Sequence, residues 1–252
     1  SIRLQKRGKG KFMKFDIAVI GGSLGGVQAA ISAAKTGKKV YMCEETDWVG
    51  GQLTTQGVPP DEHKWIEEFG ATKSYLNYRE DVRKHYRSLP NISDEIKNRD
   101  RFCPGNSWVS RIAHEPKVAK NILNSYLAPY IQNGTLVIEY NTVAVDSLVM
   151  NDVIRSVTVK NILSHETKKI EANYFLDATD CGDLLPLVHA EYRTGAESKE
   201  ETGELHAPET GNPYDIQPIT WVVALELNPE GDYKIPKPED REEHRYKALS
   251  CP

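Results

Sequence analysis

The feature that most limits the possible folds of this protein is a short apolar strand that runs directly into a glycine-rich turn. Phe15–Ile20 is apolar and rich in β-branched residues, as expected of a strand buried on both faces. Gly21–Gly26 follows at once, and Val27–Ala34 then carries small apolar residues at helical spacing. Lys39–Cys43 is a second strand and is followed by Glu44. This order of strand, glycine turn, helix, strand and acid predicts a βαβ unit of the Rossmann type.

The glycine turn has most of the chemistry that a dinucleotide site needs. Gly21 can make the tight turn, and Gly26 can allow close packing of the helix on the strand. Ser23 occupies the place of the middle glycine of the usual motif, while Gly22 and Gly25 keep the turn permissive. The N–H groups of a helix N-terminus would meet the pyrophosphate. From the turn alone, a structural role and a nucleotide site are both open.

Two features after the second strand favour the nucleotide site. Glu44 stands where an acid accepts hydrogen bonds from an adenosine ribose, and Gly50 and Gly51 follow six residues later. With these residues the protein resembles the FAD-dependent oxidoreductases that have a glutathione-reductase-like Rossmann domain, most specifically over Glu45–Thr54. The resemblance implies FAD as cofactor, with its ribityl group near the Gly-Gly pair. An NAD-dependent enzyme is disfavoured, because an NAD site does not need that pair.

The same family returns to its sheet, after a small β-meander, through an Ala-Thr-Gly turn. Asp177, Ala178 and Thr179 occupy that place here, and Asp180 stands where the family has its glycine. Gly182-Asp183 resembles the usual Gly-Asp that follows. The resemblance implies cofactor contacts at Gly21, Gly22, Ser23, Gly25, Gly26, Glu44, Gly50, Gly51, Gln52, Ala178, Thr179 and Asp183.

Catalytic residues are harder to place. Gln52 and Thr55 follow the Gly-Gly pair and could line the flavin ring, although a polar loop is an equal alternative. His63 could donate a proton in a substrate pocket, and a surface position is the alternative. Arg111 could clamp an anionic substrate or a flavin phosphate. Cys181, beside the cofactor turn, is expected to be a packed thiol rather than a redox group.

The rest of the pattern predicts one insertion, one strong helix and several strands. The insertion, 58–115, is polar and aromatic and contains a helix around Glu80–Tyr86. A helix begins at Pro116 and is stopped by Asn133-Gly134. The predicted strands that follow are Leu136–Tyr140, Val143–Met150, Val153–Asn161, Lys169–Ala172, Tyr174–Ala178 and, near the end, Ile219–Leu227.

Composition excludes several classes of protein. The net charge of −4 gives no basic footprint for nucleic acid, and no apolar run approaches the roughly 18 residues of a membrane span. The four cysteines have no C-x-x-C pair, which predicts reduced thiols in the cytoplasm and no metal site.

The expected architecture is α/β: a Rossmann-type parallel sheet with a β-meander, a helical insertion and a partial second domain. We expect a flexible leader over 1–12, an FAD-binding domain over 13–190 with its meander at 142–173, and the start of a truncated substrate domain over 191–252. The expected function is hydride transfer between a small organic substrate and flavin N5. The alternative is a truncated, non-catalytic flavin-fold fragment that acts as a binding module and forms a homo-oligomer through an exposed strand edge.

Overall fold

The computed structural model of the protein describes residues 12–218, 222 and 228–231. The sequence divides into two compact units, Ser1–Thr220 and Trp221–Pro252, and the elements below belong to the first. Apart from Val222, the predicted strand Ile219–Leu227 lies outside the described residues. The elements in sequence order are β1 Phe12–Ile20, α1 Leu24–Lys35, β2 Val40–Cys43, a 3₁₀ turn Gly51–Leu53, α2 Lys73–Arg87, α3 Asp94–Asn98, α4 Pro116–Gln132, β3 Leu136–Glu139, β4 Thr142–Met150, β5 Val153–Asn161, β6 Thr167–Asp177, α5 Leu184–Leu187 and α6 Lys199–Thr202.

All six strands form one sheet in the order β3-β2-β1-β6-β5-β4. β1 pairs in parallel with β2 and with β6, and β2 pairs in parallel with β3. β4, β5 and β6 form the antiparallel meander, which extends the same sheet instead of standing apart from it. The predicted α/β class with a Rossmann-type parallel sheet and a meander is confirmed.

Helices α1 and α4 cover one face of the parallel part of the sheet. Ala30 and Ala34 of α1 and Leu123 and Leu127 of α4 are buried in one core cluster with residues of β1, β2 and β3. The small side chains of α1 let it lie close to the strands. As the sequence predicts, α4 begins with Pro116 at its first turn and ends next to Asn133-Gly134. The helix predicted around Glu80–Tyr86 is part of α2.

The sequence-based prediction of two strands, Lys169–Ala172 and Tyr174–Ala178, is wrong. They are one continuous strand, β6, which passes through the exposed Asn173 without a break. Its partner β1 also begins earlier than predicted, at Phe12 instead of Phe15. The two errors have one cause, because Phe12–Phe15 pairs with Lys169–Ala172 and each segment completes the hydrogen bonding of the other.

The region before α4 contains a buried group of charges that the sequence pattern did not predict. Arg79 is 1% exposed and forms ion pairs with Glu62 and Glu67. Arg83 pairs with Glu67 and donates a hydrogen bond from Nε to the carbonyl of Phe102 at 3.1 Å. These contacts attach Glu62 and Glu67, before α2, and Phe102, after α3, to the buried face of α2.

Within the described residues, no helix is both long and apolar enough to cross a bilayer. A search of the same residues finds no group of three or more His, Cys, Asp or Glu arranged to hold a metal ion.

Candidate functional site

Three separate segments meet at the carboxyl ends of the parallel strands. The turn after β1 and the turn after β6 lie side by side, and the N–H of Ala178 donates to the carbonyl of Ile20 at 2.6 Å. The third segment begins with Gly50-Gly51. The N–H of Gly50 donates to the carbonyl of Gly22 at 2.8 Å, which attaches this segment to the turn after β1. The backbone leaves β1 toward β2 on one side, while β6 lies on the other. This junction is therefore a topological switch point, the usual ligand position in open α/β sheets.

Two glycines are required for this close approach. Gly21 has φ of +98°, and a Cβ on it would lie 2.3 Å from the carbonyl carbon and the carbonyl oxygen of Ala178. A Cβ on Gly26 would lie 2.3 Å from the carbonyl oxygen of Gly21. Gly21 makes the turn and Gly26 allows helix α1 to pack against it, which are the roles that the sequence predicts.

The N-terminus of α1 presents hydrogen-bond donors at this junction. Ser23 is the N-cap, and its Oγ accepts from the N–H of Gly26 at 3.3 Å, while its carbonyl accepts from Val27 at 2.9 Å. The N–H groups of Leu24 and Gly25 have no acceptor among the described residues. With the partial positive charge of the helix end, these groups can bind a phosphate.

Glu44 is buried at the end of β2 and is part of the turn itself. Its Oε2 accepts from the N–H of Gly22 at 2.9 Å. Its Oε1 accepts from the N–H and the hydroxyl of Thr46, at 2.9 and 2.8 Å. The carboxylate is held by groups from two segments, so its position does not depend on a ligand.

A cavity of about 310 Å³ opens beside these groups. Seven of the predicted cofactor-contacting residues line it: Gly21, Gly22, Ser23, Glu44, Ala178, Thr179 and Asp183. The other five lie outside the lining: Gly25, Gly26, Gly50, Gly51 and Gln52.

The cavity is acidic. Glu44, Glu45, Asp180 and Asp183 line it, and no Lys or Arg does so among the described residues. Partial burial, followed by the neighbouring charges of Glu44, Asp183 and Asp180, raises the pKa of Glu45. A negatively charged ligand must therefore be held by main-chain N–H groups and the helix end, without help from a cationic side chain.

The free edge of β4 supplies a further pair of main-chain groups. Thr142 points its N–H away from β5, because it donates to the carbonyl of Glu44 at 2.8 Å. In antiparallel pairing, residues alternate between bonding to the partner strand and facing away from it. Ala144 stands two residues further along β4 and lies on the cavity wall, so its N–H and C=O face away from β5 as well. A donor and an acceptor side by side can bind the edge of a planar heterocycle.

Asp180, where the family has glycine, contacts the segment that carries the Gly-Gly pair. Its Oδ2 accepts from Gln56 Nε2 at 3.2 Å. A Cβ on Gly51 would lie 3.2 Å from Asp180 Oδ1 and 3.4 Å from the Cα of Ser23. Gly51 is thus enclosed by the other two segments, and the Gly-Gly pair packs into the junction.

The candidate catalytic residues do not line the cavity. Gln52 donates from Nε2 to Asp61 Oδ2 at 2.8 Å, and the exposed Thr55 donates to the carbonyl of Gly51 at 3.3 Å. His63 is exposed and packs beside the aromatic rings of Trp65 and Phe69. Arg111 is exposed and forms no ion pair within the described part of the sequence. Among the described residues, no hydrogen bond or ion pair joins these four side chains to one another. The prediction of a packed thiol at Cys181 is wrong, because this residue is exposed and lines the cavity.

Three residues that contribute to the site were not predicted from the sequence. Thr46 fixes the carboxylate of Glu44, Ala144 presents its main-chain groups, and Glu45 adds charge. A threonine two residues after the acid gives no recognised motif, and a main-chain contribution leaves no residue-type signal.

The family model described as FAD dependent oxidoreductase matches residues 16–250. The protein belongs to this family. Its cofactor is FAD. The glycine turn, the buried acid at the end of β2 and the donors of α1 fit the adenosine and pyrophosphate parts of FAD. The glutathione-reductase-like subtype remains a prediction.

Several solved structures resemble this protein at low identity. Mycobacterium smegmatis Sdh1 in complex with UQ1 is 13% identical, with a TM-score of 0.45, over 75% of this sequence and 35% of that one. A flavoprotein/dehydrogenase from Cytophaga hutchinsonii is 18% identical, with a TM-score of 0.40, over 69% and 41%. L-proline dehydrogenase from P. horikoshii is 15% identical, with a TM-score of 0.38, over 67% and 23%. The present sequence therefore spans less than half the length of each of these proteins. A comparison with curated proteins gives no match.

Proposed function

We propose that this protein forms the FAD-binding part of an enzyme that transfers hydride between a small organic substrate and flavin N5. The observation that carries the proposal is the junction of three segments beside Glu44. The N–H of Gly50 bonds to Gly22, and Gly51 packs against Ser23 and Asp180. An ordinary glycine turn needs neither a second glycine pair at this place nor a buried acid.

Each part of the adenosine diphosphate moiety has a counterpart at the junction. The pyrophosphate would lie at the start of α1, against the N–H groups of Leu24 and Gly25 and the hydroxyl of Ser23. The ribose would lie beside Glu44, and the adenine edge would meet the N–H and C=O of Ala144. These assignments make the first strands and the edge of the meander one binding surface.

Bound FAD would supply a group that accepts or donates hydride at N5. The residues of this protein orient that group and hold its charged part. The segment after Gly51 would place Gln52 and Thr55 on the side toward the flavin ring, where they remain the candidates for contact. Cytoplasmic localisation, a small-molecule substrate and the domain boundaries at 13–190 and 191–252 belong to the same proposal.

Thermal unfolding with different nucleotides tests the assignment. A ligand that binds only the folded protein, at about 100 times its Kd, stabilises it by about 2.7 kcal/mol. We expect FAD and ADP to raise the Tm, FAD more than ADP, and FMN to leave it unchanged because FMN lacks the adenosine moiety. NAD should shift the Tm no more than ADP does. A shift with FMN but none with ADP would contradict the assignment.

A further inference from the structure

Thr46 contacts the proposed ribose-binding acid in a way that limits what the acid can bind. Its N–H and its hydroxyl both lie within hydrogen-bond distance of Oε1 of Glu44, at 2.9 and 2.8 Å. The other oxygen, Oε2, accepts from the N–H of Gly22 at 2.9 Å. The carboxylate therefore has three donors from the protein before any ligand is considered.

The number of acceptor sites on the Glu44 carboxylate decides how many hydrogen bonds it can still accept from a ligand. A carboxylate offers about four lone-pair sites, two on each oxygen. The two donors of Thr46 occupy both sites of Oε1, and Gly22 occupies one site of Oε2. One acceptor site is left on Glu44. A ribose has two neighbouring hydroxyl groups, so the acid has room for only one of them.

The hydroxyl of Thr46 has a second acceptor within reach. It lies 2.8 Å from the carbonyl of Trp48, and it accepts from the N–H of Trp48 at 3.1 Å. A hydroxyl has a single hydrogen to donate. The negatively charged Glu44 is the stronger acceptor, because hydrogen bonds to ionised groups are roughly twice as strong as neutral ones. The hydroxyl therefore donates to Oε1 in preference to the carbonyl of Trp48.

Thr46 is itself fixed from the meander side. Its carbonyl accepts from the N–H of Asn141, in the turn that leads into β4, at 2.9 Å. The same turn brings the N–H of Thr142 to the carbonyl of Glu44 at 2.8 Å. Glu44 and Thr46 are thus held together by the start of the strand that carries Ala144.

We infer that Thr46 is a positioning residue that saturates Oε1 of Glu44, so that the acid accepts a hydrogen bond from only one of the two adenosine ribose hydroxyls. This inference rests on the proposed function. It adds a specificity rule for the ribose: one hydroxyl is recognised by the acid and the other is not.

The test compares ADP with 2′-deoxy-ADP and 3′-deoxy-ADP as competitors of FAD on the full 252-residue protein. In the unmodified protein, one deoxy analogue should bind roughly tenfold to a hundredfold more weakly than ADP, as expected for loss of a hydrogen bond to a charged group. The other should bind like ADP. Thr46→Val should reduce the difference in affinity between the two deoxy analogues, because Oε1 regains a free acceptor site. Thr46→Ser should keep this difference in affinity. Thr158→Val, on β5 and outside the cavity lining, is the matched control and should also keep it.

The ratio of the affinities of the two deoxy analogues changes only if Thr46 acts through Glu44, since a loss of overall stability weakens the binding of both analogues alike. FAD binding together with equal weakening by both deoxy analogues in the unmodified protein would overturn the inference and leave the proposed function standing. Full retention of the ratio in Thr46→Val would overturn it as well. If Thr46→Val does not fold, Thr46→Ala, which also lacks the hydroxyl, takes its place with the same expected result. Failure of both FAD and ADP to bind would overturn the inference and the proposed function together.

Discussion

The main-chain N–H of Gly22 donates to Oε2 of Glu44 at 2.9 Å, and a Cβ on Gly22 would lie 2.7 Å from that same oxygen. The glycine turn and the acid of the second strand are therefore in direct contact without a ligand. Glu44 stabilises the turn and also offers its remaining acceptor site to the cavity. The fold and the proposed cofactor site share Glu44, so a change of this residue should affect both.

Glu44→Gln should lower both stability and FAD affinity. The amide keeps the shape of the side chain but removes the charge, and its NH₂ group cannot accept from Gly22 or Thr46. We expect a loss of roughly 1–3 kcal/mol in the free energy of unfolding, measured by urea denaturation, and weaker FAD binding by titration. Glu68→Gln, at an exposed site, is the control and should change neither. Unchanged FAD affinity in Glu44→Gln would show that the ribose assignment is wrong.

Gly21→Ala and Gly25→Ala should behave in opposite ways. A Cβ on Gly21 would lie 2.3 Å from main-chain atoms of Ala178, at a φ of +98°, whereas a Cβ on Gly25 would have only Ser23 Oγ near it, at 3.7 Å. Gly21→Ala should cost at least about 3 kcal/mol or abolish folding. Gly25→Ala, in a helix, should be neutral or slightly stabilising. Similar unfolding curves for the two variants would contradict the packing of the two turns.

FAD affinity should rise with added salt and with falling pH. Four carboxylates line the cavity and oppose a pyrophosphate, and salt screens this repulsion. Burial and the neighbouring acids raise the pKa of Glu45, and a bound pyrophosphate raises it further. Binding therefore takes up a proton, and affinity increases as the pH falls through that pKa. Fluorescence titrations at low and high salt, and between neutral and mildly acidic pH, measure both effects.

Glu45→Gln should bind FAD more tightly than the unmodified protein at neutral pH and low salt. It should also lose most of the pH dependence, since the titrating group is gone. Affinity that falls on acidification in the unmodified protein, or a pH dependence that persists in Glu45→Gln, would contradict this account of the cavity.

The parts of the fold and site that the sequence predicts are those with a local pattern. The strand, the glycine turn and α1 follow from spacing, and Gly21 and Gly26 have the roles that their positions indicate. The continuity of β6 could not be predicted, because it depends on pairing with Phe12–Phe15, far away in the sequence. The positions of His63 and Arg111 outside the cavity are likewise consequences of tertiary packing.

The contribution of Ala144 is also invisible in the sequence, because its main-chain groups face the cavity only through the register of β4 on β5. The same holds for Asp180. It stands where the family has glycine, and in the structure it bonds to Gln56 and lies beside Gly51. Long-range contacts, not residue type, decide what these positions do.

Arg79→Met should be strongly destabilising. Arg79 is 1% exposed and pairs with Glu62 and Glu67, so its removal leaves the buried carboxylate of Glu62 without a cationic partner, at a cost of about 3–5 kcal/mol. Glu67 keeps its pair with Arg83. Arg99→Met is the control, because its pair with Glu95 is exposed and contributes about 0.5 kcal/mol at most. Urea denaturation of both variants gives the comparison, and equal small losses would contradict the buried character of the ion pairs.

The same cluster should make the protein sensitive to acid. Burial would raise the pKa of Glu67, but Arg83 and Arg79 outweigh burial and lower it below its usual value. A lowered pKa in the folded state means that the stabilisation is present above the pKa of the unfolded state and is lost as the pH falls through the lowered value. Glu67→Gln should therefore flatten the loss of Tm on acidification. A loss of Tm that is as steep in Glu67→Gln as in the unmodified protein would contradict this.

We expect the junction of the three segments to bind FAD. The most direct test is the visible absorption spectrum of the purified 252-residue protein after incubation with FAD and gel filtration. The account predicts a protein-bound flavin band with close to one FAD per protein molecule. A colourless protein that takes up no FAD would contradict it and would favour the alternative of a binding module without flavin.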